Sequence, residues 1–306
     1  MKDMTVSDKC GDQTGPGTCL AMGLLWLIAH GIAALPLHMS LALGRGLGRV
    51  FGSVIRYHRR DALEALARSL PDLDTAAREE IIKRMYAHFG MNLVESLRLA
   101  GGKLRQVEMM EQHGIDQVHQ ALERNKGALI LTAHFGNWDL LSVLTPRIGF
   151  PLTIISKDVK NRALNTFWMD MRRAKGLSIV PAHQSYRKCR AALKRNELVG
   201  FILDQNMIDK EGIFVDFFGR PACTTPGLAF MAAQSGAPVI PVFTRRLENG
   251  RHEMRVYPPL DPPPDREPET IREATQQYTR IIEDMVRQYP DQWIWIHRRW
   301  RTQPPD

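Results

Sequence analysis

The run Ala128-Leu129-Ile130-Leu131 does most to restrict how this chain folds. It is led in by the turn signal Asn125-Lys126-Gly127, is too short for a helix, and fits a buried strand. The run stops at His134, and Asp139 follows five residues later. Loops at strand ends are where open α/β sheets place their chemistry. Gly136 permits a tight backbone turn, Asn137 suits the cap of a following helix, and Asp139 falls in that helix's first turn, where its charge matches the dipole. This spacing predicts an Asp139 carboxylate within reach of the His134 ring.

A neutral imidazole can take the proton of a hydroxyl as that hydroxyl attacks a carbonyl, and a carboxylate can fix its tautomer and stabilise the imidazolium. No serine or cysteine flanks His134, which favours direct transfer to an acceptor hydroxyl over a covalent acyl-enzyme. The bland alternative is that His134 closes a strand and Asp139 merely decorates a helix start.

Strands are expected at Ala128 to Thr132, Leu152 to Ser156, Leu198 to Leu203, Val239 to Thr244 and Glu253 to Tyr257. Helices are expected at Asp61 to Ala67, Thr75 to Leu99 with Thr75 as cap, Asn137 to Thr145, Ala163 to Lys175, Tyr186 to Lys194, Pro226 to Ser235 and Thr270 to Gln288. The alternation makes an α/β sheet. With 306 residues and 44% hydrophobic content, the chain can bury a full core as one catalytic domain with an N-terminal appendage. Cys10, Cys19, Cys189 and Cys223 have no regular spacing, which argues against zinc and against a disulfide scaffold and suggests a reducing compartment.

Leu20 to Gly44 holds no Lys, Arg, Asp or Glu across 25 residues. At ~1.5 Å per residue such a helix crosses a ~30 Å hydrocarbon layer. Pro36, His30 and His38 equally fit a kinked helix lying on the bilayer, so spanning and surface-lying both stand. Arg45, Arg49, Arg56, Arg59 and Arg60 follow, an excess that places the catalytic portion on the cytoplasmic side. A net charge of +8 points to anionic partners. Zinc-finger spacing, RNA-binding aromatics and long basic runs are missing, so nucleic acid is not expected.

Arg172 and Arg173, near a helix end, could each grip a phosphate or carboxylate, or simply complete the helix dipole. Asp204 and Gln205 follow an apolar strand, either beside His134 or as a loop-capping turn. Phe217 and Phe218 suit an acyl channel or a core; Arg220 and the amides near Thr224 and Thr225 suit a phosphate, with Thr225 as cap of the next helix. Trp293, Trp295 and Trp300, interleaved with Arg298 and Arg299, read either as a surface meeting lipid headgroups or as core packing.

Several segments, in order, resemble the late acyltransferases of lipid A biosynthesis, the lauroyl and myristoyl transferases of the lysophospholipid acyltransferase-like superfamily. They are RYHRRDALEALARSLP at Arg56 to Pro71, HFGNWD at His134 to Asp139, MRRAKG at Met171 to Gly176, LDQN at Leu203 to Asn206, VDFFGRPACTTPGLAFMAAQSGAPVIPVF at Val215 to Phe243, and QWIWIHRRW at Gln292 to Trp300. The resemblance spans about residues 20 to 301. One departure is that many members carry glutamate where this chain has Asp139.

The resemblance implies a glycerolipid acyltransferase-like fold, a central mixed sheet flanked by helices, behind an N-terminal hydrophobic membrane helix. Its divisions are a 1–19 leader, a 20–44 membrane-associated helix, a 45–301 acyltransferase domain and a loose 302–306 tail. It implies transfer of an acyl chain from acyl carrier protein to a hydroxyl of a Kdo-bearing lipid A precursor, at the bacterial inner membrane. The catalytic set it implies is His134, Asp139, Arg172 and Asp204. Asn137, Arg173, Gln205, Arg220, Arg298 and Arg299 are expected to bind substrate. No metal or other cofactor is implied. Two alternatives stand beside this reading: acylation of another glycolipid such as mannosylated phosphatidylinositol, and a non-catalytic scaffold on anionic lipid.

Overall fold

The computed structural model describes residues 16–157, 159–182 and 185–305, so the expected leader up to residue 15 and Asp306 lie outside the described residues. Among the described residues nine strands form: β1 (Glu111–His113), β2 (Ala128–Thr132), β3 (Leu152–Ser156), β4 (Ser178–Pro181), β5 (Leu198–Ile202), β6 (Ile213–Phe217), β7 (Arg220–Thr224), β8 (Val239–Arg246) and β9 (His252–Val256). Seven make one sheet in the order β1-β9-β8-β2-β5-β3-β4, while β6 and β7 form a separate hairpin. All sheet neighbours run parallel except β8 and β9, so the sheet is mixed.

The expected strands at 128–132 and 152–156 form with those bounds. β1, β4 and the β6–β7 hairpin were not expected; three or four residues carry little periodicity, and the hairpin turn rests on Phe218 and Gly219 at positive φ.

The sheet is covered on both faces because alternate side chains of a strand point opposite ways. Leu129 and Leu131 join a core that includes Ile82 and Met85 of α4 (Thr75–Ala100), Leu228 of α10 (Gly227–Ser235) and Ile282 of α11 (Pro268–Gln288). Ala128 and Ile130 join the other, with Leu140 of α7 (Trp138–Arg147), Phe167 of α8 (Arg162–Ala174) and Trp26 of α1 (Pro16–Ala34). α4 is capped by Asp74, whose Oδ1 accepts from the Ala77 amide at 2.7 Å, and not by Thr75.

The N-terminal apolar segment is two helices and not one. Pro36 has no N–H to continue a helix, and the chain restarts as α2 (Leu37–Val50), prolonged by a π-helical turn at Phe51–Ile55. Arg98 of α4 closes this break, donating from Nη1 to the carbonyls of Ile32 (3.0 Å) and Leu35 (2.7 Å) and to Ser40 Oγ (2.6 Å). It thereby satisfies carbonyls that a helix end leaves unpaired. α2 lays Gly44 and Gly48 on α4, and the π-helical turn adds Gly52; a Cβ at Gly44 would meet the Gly90 oxygen at 2.7 Å. The expected boundary at residue 44 therefore falls inside a helix bound to the domain. Gly17–Ala34 remains long and apolar enough to cross a membrane by length and composition.

Cys189 and Cys223 are free and buried.

Candidate active site

β2 and β5 are neighbours in equal register, Ala128 opposite Leu198 and Thr132 opposite Ile202. Two residues beyond each strand end stand His134 and Asp204, side by side at the carboxyl edge of the sheet. His134 Nδ1 meets Asp204 Oδ1 at 2.9 Å, and the His134 amide donates to Oδ2 at 2.9 Å. Trp293 Nε1 donates to the same Oδ2 at 2.7 Å. Burial raises the Asp204 carboxyl, but the His134 ring, together with the bonds from His134 and Trp293, outweighs it and holds the group down to about 2. A carboxylate at Nδ1 can hold the ring proton there and leave Nε2 free to accept another. Gln205 Nε2 lies 3.3 Å from that atom, and the Trp138 ring packs edge-on at 5.0 Å.

The Asp139 carboxylate is turned to partners other than the His134 ring. It is buried and engaged by Arg172, whose Nε and Nη2 donate to Oδ1 at 3.0 and 2.6 Å, and by Ser96 Oγ at 3.2 Å from Oδ2. The His134 partner is Asp204, because equal strand register delivers that carboxylate to Nδ1. Asp139 instead holds Arg172, and both line the cavity described below. Because each leaves the other as an uncompensated charge in a mostly buried place, Asp139→Asn and Arg172→Gln are each expected to cost about 3 kcal/mol of stability. The double variant should be scarcely worse than either single one, a non-additivity that a urea-denaturation cycle reads directly; additive losses would refute the pairing.

The loop between His134 and α7 is held from three sides. The Gly136 amide donates to the Gln292 carbonyl at 2.9 Å, and Asn92 Nδ2 donates to the Gly136 carbonyl at 2.6 Å. Asn137 caps α7 through Oδ1, which accepts from the Leu140 amide at 3.2 Å, while its Nδ2 donates to Glu95 at 2.7 Å. Glu95 is fully buried between Arg246, which binds both its oxygens at 2.8 and 2.6 Å, and His252 at 2.9 Å. Burial opposes its ionisation, yet Arg246 and His252 hold it well below the usual carboxylate range. Asn137 therefore works inside the protein as well as lining the cavity.

Gly136 has φ +57°, and a Cβ there would collide with the Thr244 carbonyl oxygen. A left-handed non-glycine residue alone costs ~1–2 kcal/mol. Gly136→Ala is accordingly expected to lower unfolding free energy by about 2 kcal/mol or more and to cut activity with it. Wild-type stability in a urea titration would refute this.

His134 opens into a cavity of about 1060 Å³. Its upper rim carries Gln205, Arg172, Ser156 and Lys157, and its walls descend along the sheet face beneath α7, past Ile154 and Gly200 to Leu152, Leu198 and Phe150. From Ile202 to Leu198 this is about 13 Å at ~3.3 Å per residue, and the walls there are apolar. Lys157 was missed by sequence reasoning; the signal available was a charged residue just past the end of an expected strand. Trp293 was also missed as a donor to Asp204.

The remaining expected substrate-binding arginines fall elsewhere. Arg173 is exposed and paired with Asp170 at 3.3 Å, and Arg298 is paired with Asp61 at 2.8 Å. Arg220 stacks on Trp300 with 4.3 Å to the ring centroid. Arg299 is buried, donating to the carbonyls of Gln205 (3.3 Å) and Cys223 (2.8 Å) and to Thr224 Oγ1, and burial lowers its guanidinium to about 10. Its guanidinium is thus spent on the main chain beneath the Gln205 loop. Phe217, Phe218, Trp293, Trp295 and Trp300 form one buried aromatic cluster with β6, so neither the expected acyl channel nor the expected lipid-facing surface is made by them. Thr302, the first residue of the expected loose tail, is tied to Asn206 and Met207. Glu111, His113 and Glu253 bring possible metal ligands together, but Arg251 and Arg245 already neutralise both carboxylates.

Residues 17–302 match the family profile described as bacterial lipid A biosynthesis acyltransferase. The chain is 24% identical to the lipid A biosynthesis acyltransferase of Haemophilus influenzae over 92% of its own length and 87% of that protein. It is 24% identical to the lipid A biosynthesis lauroyltransferase of Escherichia coli over 94% and 92%. A phosphatidylinositol mannoside acyltransferase of Mycolicibacterium smegmatis is 26% identical over 82% and 84%. The solved 1-acyl-sn-glycerophosphate acyltransferase of Thermotoga maritima superposes with a TM-score of 0.37 at 15% identity, over 85% of this chain and 100% of the other. A profile match over nearly the whole chain, reaching from α1 past the last aromatic of the cluster, makes this acyltransferase a member of the bacterial lipid A biosynthesis acyltransferase family.

Proposed function

We propose that this enzyme transfers a fatty acyl chain from acyl-acyl carrier protein to a hydroxyl of a Kdo-bearing lipid A precursor, at the cytoplasmic face of a bacterial inner membrane. The observation that carries this reading is the His134–Asp204 pair standing at the mouth of a long apolar cavity. The acyl chain lies down the sheet face, with its thioester carbonyl at the rim. The acceptor hydroxyl displaces Gln205 from Nε2, gives its proton to that nitrogen, and attacks the carbonyl carbon. The carbon–sulfur bond then breaks, and the imidazolium returns the proton to the departing thiolate. Asn137, Trp138 and Asp139 put the positive end of the α7 dipole at the rim, where oxyanion charge develops. Arg172 and Lys157 face the anionic groups of the acceptor.

The test is incubation of purified protein with lauroyl- or myristoyl-acyl carrier protein and a Kdo-bearing tetra-acylated precursor, read by mass spectrometry. A gain of one acyl chain supports the reading. The mannosylated phosphatidylinositol relatives make that lipid the second acceptor to try; acylation of it alone would move the chain to that activity, and acylation of neither would leave the scaffold reading.

Gly200 is the point at which chain length should be adjustable. It lies mid-strand on the cavity face, and a Cβ there would meet Ile154 Cγ2 at 3.4 Å and Leu152 Cδ1 at 3.6 Å, ordinary contacts. Larger side chains must project into the space the chain would occupy. Gly200→Val is expected to lower use of the longest accepted chain at least tenfold relative to shorter ones, since single methylenes in such pockets discriminate by about 10–200-fold. An unchanged profile across donors of graded length would refute it.

A further inference from the structure

A second cavity, of about 510 Å³, opens between the start of α4 and α3 (Arg59–Ser69), away from the site above. Its lining includes Arg56, Arg59, Arg60 and Arg78 against Glu64 and Glu79. The two carboxylates are already engaged, Glu79 with Arg59 and Glu64 with Arg68. Among the described residues, Arg56, Arg60 and Arg78 are left without a carboxylate partner. Arg56 Nε donates only to the Ser53 carbonyl (3.2 Å), and Arg78 Nη2 to that of Pro71 (2.7 Å). Arg78 Nε is buried with no partner, and Arg60 has no partner among the described residues. Arg56 and His58, both at positive φ, turn the chain so that residues 56, 59 and 60 border one cleft. Converging guanidinium forks are suited to phosphate oxygens.

What faces this cleft follows from the helix leading into it. On α2 and its π-helical turn, Met39, Leu43, Leu47, Val50 and Val54 are all exposed, at intervals of three and four residues. They form one stripe, opposite the glycines laid on α4. The exposed Ile55 and Tyr57 carry the apolar surface to the rim of the arginine cleft. An exposed apolar helix face with Arg49 at its edge is the pattern of a helix lying in a bilayer interface, with arginine at phosphate level.

We infer that the α3–α4 cleft is a binding site for the phosphate of an anionic phospholipid, whose acyl chains lie along the apolar stripe of α2. Arg56, Arg60 and Arg78 hold the phosphate, and the lipid orients the domain on the membrane. The assignment is independent of the acyl-transfer chemistry, because none of these residues lines the His134 cavity.

The experiment is co-sedimentation of the full chain with vesicles of phosphatidylcholine alone and of phosphatidylcholine mixed with phosphatidylglycerol. The proteins compared are wild type, Arg60→Gln/Arg78→Gln, and the control Arg45→Gln/Arg49→Gln, which removes the same charge outside the cleft. At about fivefold per arginine at a membrane surface, the cleft double variant should lose about 25-fold in binding to the anionic vesicles. It should keep its binding to neutral ones, and the control should lose clearly less. Matching circular dichroism spectra exclude misfolding. Equal losses for the two pairs would reduce the cleft to diffuse charge and overturn the site, as would retained anionic preference in the cleft variant.

Discussion

His134→Ala is expected to lower turnover in acyl transfer by about 10²–10⁴-fold, the usual contribution of a positioned general base, while leaving the fold in place. The ring is partly exposed, and its hydrogen bonds run only to Asp204 and Gln205. Its removal does not orphan the buried carboxylate, because Asp204 keeps the backbone amide of residue 134 and the Trp293 indole as donors. Loss of rate with an unchanged urea midpoint is therefore the expected pair of readings. Turnover within a few-fold of wild type would remove His134 from the chemistry.

Asp204→Asn is expected to cost about 10⁴-fold in turnover, through the tautomer rather than through lost charge alone. Three N–H groups converge on Asp204: the His134 ring, the His134 amide and the Trp293 indole. A carboxylate accepts all three, whereas an asparagine has one acceptor oxygen and an amide that must itself donate. The amide then faces imidazole Nδ1, and the ring proton moves to Nε2, where it blocks the base. The same exchange has a signature in stability. The folded-state carboxyl is held at about 2 against its ordinary value of 3.8, so its ionisation stabilises the fold above about pH 4. That contribution, of the order of 2 kcal/mol, is lost as pH falls toward 2. The wild-type stability curve should therefore fall across that window, and Asp204→Asn should flatten the fall. An Asn variant as active as wild type, or a wild-type curve level from pH 4 to 2, would refute the assignment.

Much of the fold was legible because its central strands are short apolar runs ended by turn residues, and these leave few alternatives. The candidate pair was legible for the same reason: His134 and Asp204 both follow such runs. What could not be read was which acid serves which partner. Sequence proximity favoured Asp139 for His134, but pairing is decided by which strands are neighbours and in what register, and neither is encoded locally. The C-terminal aromatics show the same limit. Trp293, Trp295 and Trp300 beside arginines have the composition of a lipid-facing belt, and only packing against Phe217 and Phe218 places them in the core. Arg298 and Arg299 differ likewise: adjacent in sequence, one pairs with Asp61 at the surface and the other is buried against main-chain carbonyls. The break at Pro36 was visible, but the Arg98 side chain that secures it lies more than 60 residues away.

The equal register of β2 and β5 bears on how this chain can change over time. Each half of the acid–base pair stands two residues past the end of its own strand, so the pair survives only while both strands keep their length. Deleting one residue from either would draw its functional group back by ~3.3 Å and turn it to the opposite face of the sheet. Insertions and deletions in lineages that retain activity should therefore collect in the connections outside 128–134 and 198–204, however freely the side chains within those spans are exchanged.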